Sequence, residues 1–197
     1  MKKYKLTNET IVYFGITLYR IEALMDFSDV KTGDKGGFVQ SENNLSQLGN
    51  AWVYGNAKVY DNAEVYGNAK VCGDAKVCGD AKVCGDAWVY GDAKVYGNAK
   101  VCGNAKVCGD ADVYGKAEVR GDAKVYKNSD YIVFKNWWSS GRYFTWTRSN
   151  NMWKVGCFYG NGEELIKKAY ADSEESGREY ERVVRYVENI LADELNK

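Results

Sequence analysis

The sequence predicts a mainly β fold whose middle is a three-sided column of short parallel strands. Three observations carry that prediction. Valine recurs at every sixth position from Val53 to Val125. Alanine stands two residues before each of these valines, from Ala51 to Ala123. Glycine followed by asparagine or aspartate fills most of the intervening steps. A fixed short period outranks other local signals, because a unit too short to bury its own apolar edge must stack on copies of itself.

Each unit reads Ala-x-Val-Tyr/Cys-Gly-Asn/Asp. Ala and Val flank a polar residue, so a three-residue strand turns both inward and x outward. Glycine reaches positive φ without steric cost, and Asn or Asp tolerates it better than most residues do. The second half of the unit is therefore a corner. Three faces close a triangle of about eighteen residues, and successive coils should lie about 4.8 Å apart. Stacking then puts Trp52, Lys70, Trp88, Lys106 and Lys124 in one outward row, Lys58, Lys76, Lys94 and Asp112 in a second, and Glu64, Lys82, Lys100 and Glu118 in a third. The interior holds only Val and Ala, so many small methyl contacts and a continuous backbone ladder must stabilise it.

This spacing resembles the hexapeptide repeat of left-handed parallel β-helices known from bacterial acyltransferases. The left-handed sense is what that resemblance implies; the general crossover rule favours the other hand. The fold expected is a left-handed triangular parallel β-helix of about five coils. The segments from Leu18 to Leu24, Gly36 to Leu45 and Gly156 to Leu165, together with the hexads, also resemble a group of phage and gut-bacterial proteins labelled polymer-forming cytoskeletal proteins. That second resemblance implies no site residues.

Three regions follow in order. Residues 1–48 hold two alternating runs around Gly15, which read as a tight hairpin, and then an irregular first coil in which Val39 and Leu45 keep the six-residue step. Lys31 to Gly37 lacks the spacing and the Gly-Lys-Ser/Thr ending of a phosphate loop and reads as a turn. Residues 49–130 are the repeat, fading where Ser129 and Tyr131 still hold the Ala and Val slots. Residues 131–197 predict a β-meander from three runs (131–138, 142–149 and 152–159), then a short helix opened by Asn161. Ser176-x-x-Glu179 marks a capping box for a second helix to about Leu195, with Tyr180, Val183, Val184, Val187, Ile190 and Leu191 on its buried face. Both flanking regions are expected to cap the column, since an uncovered end exposes unpaired strand edges.

Histidine is absent. The acyltransferases of the resemblance rely on a catalytic His, and the carbonic anhydrases of the same fold bind zinc through three. No position here receives those roles, so no catalytic residue, metal or cofactor is expected. Basic and acidic residues number 27 each, which removes a general electrostatic footprint for nucleic acid. Five cysteines, Cys72, Cys78, Cys84, Cys102 and Cys108, occupy the Tyr slot and read as outward substitutes in a reducing cytosol. Cys84 and Cys102, eighteen residues apart, should stack within disulfide reach. The N-terminus has no apolar run fit for a secretory signal, and no stretch is long enough to span a membrane.

Three groups are candidate contacts for a partner or ligand. Asp74, Asp92 and Asp110 form a corner row beside the Lys58, Lys76 and Lys94 line, where mutual neutralisation is the alternative. Tyr60, Tyr96 and Tyr114 form an aromatic row that ladder packing would also explain. Trp137, Trp138, Trp146, Arg142 and Arg148 place indoles beside guanidinium groups, which stack bases or nucleotides or else build a small core. The function expected is a cytoplasmic, non-catalytic scaffold or binding protein. In its sharper form it is phage-encoded, oligomeric as a dimer or trimer, and inhibits a host defence protein. The alternatives are a His-less acyl- or nucleotidyl-transferase with a carboxylate base, and a self-assembling structural protein.

Overall fold

The computed structural model of the chain describes residues 2–195. Strands β1 (Tyr4–Tyr13) and β2 (Ile16–Ala23) form an antiparallel hairpin turned by Phe14 and Gly15, both at positive φ. The hairpin runs further toward the N-terminus than the sequence alternation indicates, with Tyr4 opposite Ala23 across a bulge between Leu6 and Thr10. Strand β3 (Lys35–Val39) pairs antiparallel with β2 and parallel with Lys58–Val59, so one element joins the hairpin to the column. Gly36 and Gly37 make the joint possible. A Cβ on either would lie 2.6 Å from the carbonyl oxygen of Val53 or Ala57.

Thirteen two-residue strands follow at six-residue steps among the described residues, β4 (Trp52–Val53) to β16 (Lys124–Val125). They are one residue shorter than the Ala-x-Val strand expected. The Ala N–H serves the corner, as where Ala57 donates to the Tyr54 carbonyl, while x, the residue after Val and, at several corners, the Asn or Asp donate to the next coil. Strands eighteen residues apart pair in parallel with Val on Val and x on x. Three sheets close around a core in which every repeat Ala and Val is at most 1% exposed. The result is a β-helix of about five turns. The irregular first coil joins it, since Val39 pairs with Val59 and Leu45 bridges Val65.

Side chains close the ladder at both ends. Inside the column each x N–H donates to an Ala carbonyl one coil on. In the last coil no such carbonyl follows. There the N–H groups of Asp112, Glu118 and Lys124 donate to Asn128 Oδ1 (2.8 Å), Thr145 Oγ1 (2.9 Å) and Ser149 Oγ (2.6 Å). At the opposite end Lys3 Nζ donates to the Ala51 carbonyl (2.8 Å), Asn44 Nδ2 to that of Ala63 (2.9 Å) and the Phe38 N–H to that of Ala57 (2.9 Å). Buried backbone groups left unpaired are costly, and this arrangement leaves few.

The C-terminal region is an antiparallel sheet of β17 (Tyr131–Lys135), β18 (Tyr143–Thr147), β19 (Met152–Val155) and β20 (Phe158–Gly160), with two helices on it. Sequence alternation had joined the last two strands into one run; the chain turns at Gly156, whose φ is 54°. Helix α1 (Gly162–Asp172) opens at Asn161, whose side chain accepts from the Glu164 N–H while Glu164 accepts from the Asn161 N–H. Helix α2 (Glu174–Leu195) starts one turn earlier than Ser176 implies, because Ser173 Oγ accepts from the Ser176 N–H. Its Val183, Val184 and Val187 join Phe144, Trp146, Trp153 and Leu165 in a second core.

Two expectations about outward positions need correction. Trp52 is buried at 1% exposure, because Tyr4 and Phe27 of the N-terminal region pack edge-on against its ring. Cys102 and Cys108 are buried rather than outward: Cys102 is bonded to Cys84, and Cys108 is a small side chain in a row between Tyr90 and Tyr126. No helix among the described residues is long and apolar enough to cross a membrane.

Candidate active site

The three groups of sequence candidates have separate fates. Asp74, Asp92 and Asp110 stand exposed along one corner. The N–H groups of Asp74 and Asp92 each donate to a glycine carbonyl of the next coil at 2.9 Å, so these positions serve the corner's regular bonding. Tyr60 is packed edge-on against Tyr13 at 5.8 Å. Tyr96 and Tyr114 stack face to face, with centroids 5.4 Å apart and planes 11° apart. Trp137 is exposed and meets Trp138 edge-on; Trp138 packs on Phe144 and Tyr180. Arg142 lines a small cavity of about 90 Å³ with Lys168, Asp172 and Tyr180. Trp146 is a core residue, 1% exposed, and its Nε1 donates to Asn151 Oδ1 at 2.8 Å. Arg148 pairs with Glu194 at 2.6 Å and covers the edge of that core, its guanidinium 6.0 Å from the Trp146 ring centre. The indoles and guanidiniums therefore do not converge on one binding surface.

The convergence lies elsewhere, where the Tyr96–Tyr114 stack meets the C-terminal cap. A groove of about 400 Å³ opens there, lined by Tyr114, Lys116, Asn128, Tyr131, Ile132 and Tyr143. Lys116 Nζ sits 5.2 Å from the centre of the Tyr143 ring, which holds the ammonium on the rim. Beside the groove stands Asp112, the acid that ends the Lys58, Lys76, Lys94 row. Two groove residues fix its backbone. Asn128 accepts from its N–H, and the Tyr131 hydroxyl donates to its carbonyl at 2.9 Å. The Asp112 carboxylate is 26% exposed and lies 3.4 Å from Lys94 Nζ. Oδ1 accepts no conventional hydrogen bond, and that lysine is its charged neighbour.

Two phenols near this carboxylate are held above the usual tyrosine range. Burial pushes Tyr131 up to about 12. Tyr96 is raised first by burial and then by the nearby Asp112 carboxylate. The site thus combines a half-buried carboxylate, hydroxyl donors, an apolar aromatic floor and one ammonium at the rim. In chemistry such a set matches a molecule with an apolar arm and an anionic end, and a carboxylate there can serve as a base for one proton. Tyr96 and Tyr114 were legible as candidates. Asp112, Lys116, Tyr131 and Tyr143 were missed, although an acid ending a lysine row and a lysine in the Asn/Asp slot were both visible.

The chain shares 36% identity over 62 residues with a protein of Escherichia coli (strain K12) named as the uncharacterized acetyltransferase YdcK. That match covers 27% of this chain and 19% of the relative, so the chain spans about a fifth of the length of the curated protein it matches. No protein-family model matches the chain. The similarity, with the β-helix, agrees with a hexapeptide-repeat assignment. It also overturns the expectation of a non-catalytic scaffold or inhibitor. That expectation rested on the missing histidine, on acids that all sit in regular repeat slots and on the phage resemblance, and a hexapeptide-repeat relative bearing an acetyltransferase name points the other way.

Proposed function

We propose that the chain is a hexapeptide-repeat acyltransferase that works without histidine, with the aromatic groove as its donor site and Asp112 as its base. The observation that carries this reading is the placement of Asp112 beside Tyr96, Tyr114 and Tyr131 at the joint of column and cap. An acyl thioester such as acetyl-CoA would lay its apolar arm along Tyr114, Tyr131 and Ile132, with an anionic group near Lys116. In the transfer an acceptor amine or hydroxyl adds to the thioester carbonyl and gives its proton to Asp112. The carbon–sulfur bond breaks, and the departing thiolate takes up a proton. The hydroxyls of Tyr96 and Tyr114 would stabilise the charge that develops on the carbonyl oxygen, while that of Tyr131 stays on the Asp112 backbone carbonyl. The same reading takes the protein as a cytoplasmic dimer or trimer, which sizing chromatography over a range of concentrations checks.

The direct test measures free CoA by chromatography when the protein meets acetyl-CoA and a panel of amines and alcohols. Asp112→Asn is expected to lower kcat by about 10²- to 10⁴-fold, the usual range for a lost general base, with donor affinity kept. Tyr114→Ala is expected to raise the donor KM. Wild-type protein that binds acetyl-CoA no better than Tyr114→Ala, and releases no CoA with any acceptor, would overturn the proposal.

A further inference from the structure

The cysteines fall into two kinds. Cys72, Cys78 and Cys108 alternate with tyrosines along two corners, and burial raises the thiols of Cys72 and Cys78. Tyr60 bonds to the Cys78 sulfur and Tyr90 to that of Cys108, so these thiols are covered. The third corner differs. There Tyr66, Cys84, Cys102 and Arg120 succeed one another, and Cys84 and Cys102 are joined as a disulfide with Cα atoms 4.7 Å apart. Cys157, the exposed free cysteine among the described residues, sits on the turn between β19 and β20. It lines a groove of about 310 Å³ together with Cys102, Arg120, Lys154 and Tyr159. Tyr159 seats that turn on the column, its hydroxyl donating to the Arg120 carbonyl at 3.1 Å.

The groove carries surplus positive charge. Its lining holds Arg120 and Lys154 and no acid; Glu118, outside that lining, is approached by Arg120 Nε (3.1 Å), Lys100 Nζ (3.3 Å) and Lys154 Nζ (3.8 Å). Burial works to raise the Glu118 carboxyl, but the three cations outweigh it and leave it below the usual range. Thiol–disulfide exchange passes through a state in which negative charge spreads over the sulfurs, and cations beside them favour it.

We propose that this groove is a thiol–disulfide exchange site in which Cys157 attacks Cys102 and transfers the disulfide from the column to the joint between column and cap. The Cys157 thiolate forms a bond to Cys102 Sγ as the Cys84–Cys102 bond breaks. The electron pair leaves on Cys84, which takes the proton that Cys157 gave up. One disulfide is present before and after, so the step needs no oxidant. Its product ties the β19–β20 turn to the coil corner and closes the groove over Arg120 and Lys154. The site is away from the face that carries Asp112 and does not depend on acyl transfer.

The experiment equilibrates the full chain in glutathione buffers of graded redox ratio, quenches with acid, alkylates free thiols and maps disulfides by peptide mass spectrometry. Wild-type protein should yield both the 84–102 and the 102–157 linkages. Cys84→Ser should yield 102–157 as its main linkage, and Cys157→Ser only 84–102. Cys84→Ser protein that keeps its circular-dichroism spectrum, carries glutathione on Cys102 and Cys157, and shows no 102–157 peptide would overturn the proposal. If that variant does not fold, absence of the 102–157 peptide from wild type at every ratio decides against it equally.

Discussion

Lys3 is 3% exposed, an unusual place for an ammonium, because its Nζ closes the backbone ladder at the Ala51 carbonyl. Burial pulls its pKa from 10.5 down to about 8. Below about pH 8 both folded and unfolded chains hold the proton, and the cost of burying the charge is constant. Above that, the folded chain releases the proton while the unfolded chain keeps it to about pH 10.4. The unfolded state then binds more protons, so this residue's contribution to stability rises with pH. Thermal melts of wild type and Lys3→Met should therefore differ by a fixed amount below about pH 8. Between about pH 8 and 10 the wild type should gain on the variant. A difference that stays flat across that range would contradict the assignment of this lysine as a buried charge. Taking the difference between the two proteins cancels the tyrosines and thiols that titrate nearby.

The hexad corner sets what each element tolerates. Gly85 has φ 68°, and a Cβ there would meet the Gly103 nitrogen at 2.9 Å and oxygen at 3.0 Å. Gly55 has φ 59° but nothing closer than 3.9 Å. Both Gly→Ala changes carry the left-handed backbone cost of about 1–2 kcal/mol. Gly85→Ala adds a backbone clash and should lose more stability in urea titrations than Gly55→Ala; equal losses would mean that corner stacking is not tight. This periodic part of the fold was legible because it is local: six residues state their own strand and corner. Asp61 shows the code's latitude. It replaces glycine at φ 56°, and its carboxylate accepts from the Gly79 N–H. What the period could not state were contacts between segments far apart in the chain. Trp52 goes inside because Tyr4 and Phe27 arrive from outside the repeat. Trp146 reads as either a ligand contact or a core residue, and the packing of the helices on the sheet puts it in the core. Asp112 occupies an ordinary x slot, and only Tyr131 and Asn128, folding back from the end of the repeat, make a site of it.

Among the described residues there are two cores, one in the column and one in the cap, and their joint carries both the Asp112 groove and the Cys102–Cys157 groove. Each hexad contacts mainly its neighbours, so stability should spread along the column as a sum of near-equal steps. Removing residues 61–78, eighteen positions, joins Tyr60 to Gly79 and returns every later row to its own face. Such a protein should fold, keep the Asp112 groove, and be shorter by about 4.8 Å in small-angle scattering. Loss of the folded signal would show that the hexads are not interchangeable.

The eighteen-residue pairing gives the molecule a ratchet. Its span changes in whole turns, and an insertion or deletion of six or twelve residues swings the cap around the axis by a third or two thirds of a circle. A gene that gains or sheds copies of this unit therefore produces a ladder of discrete sizes, each bearing the same two ends.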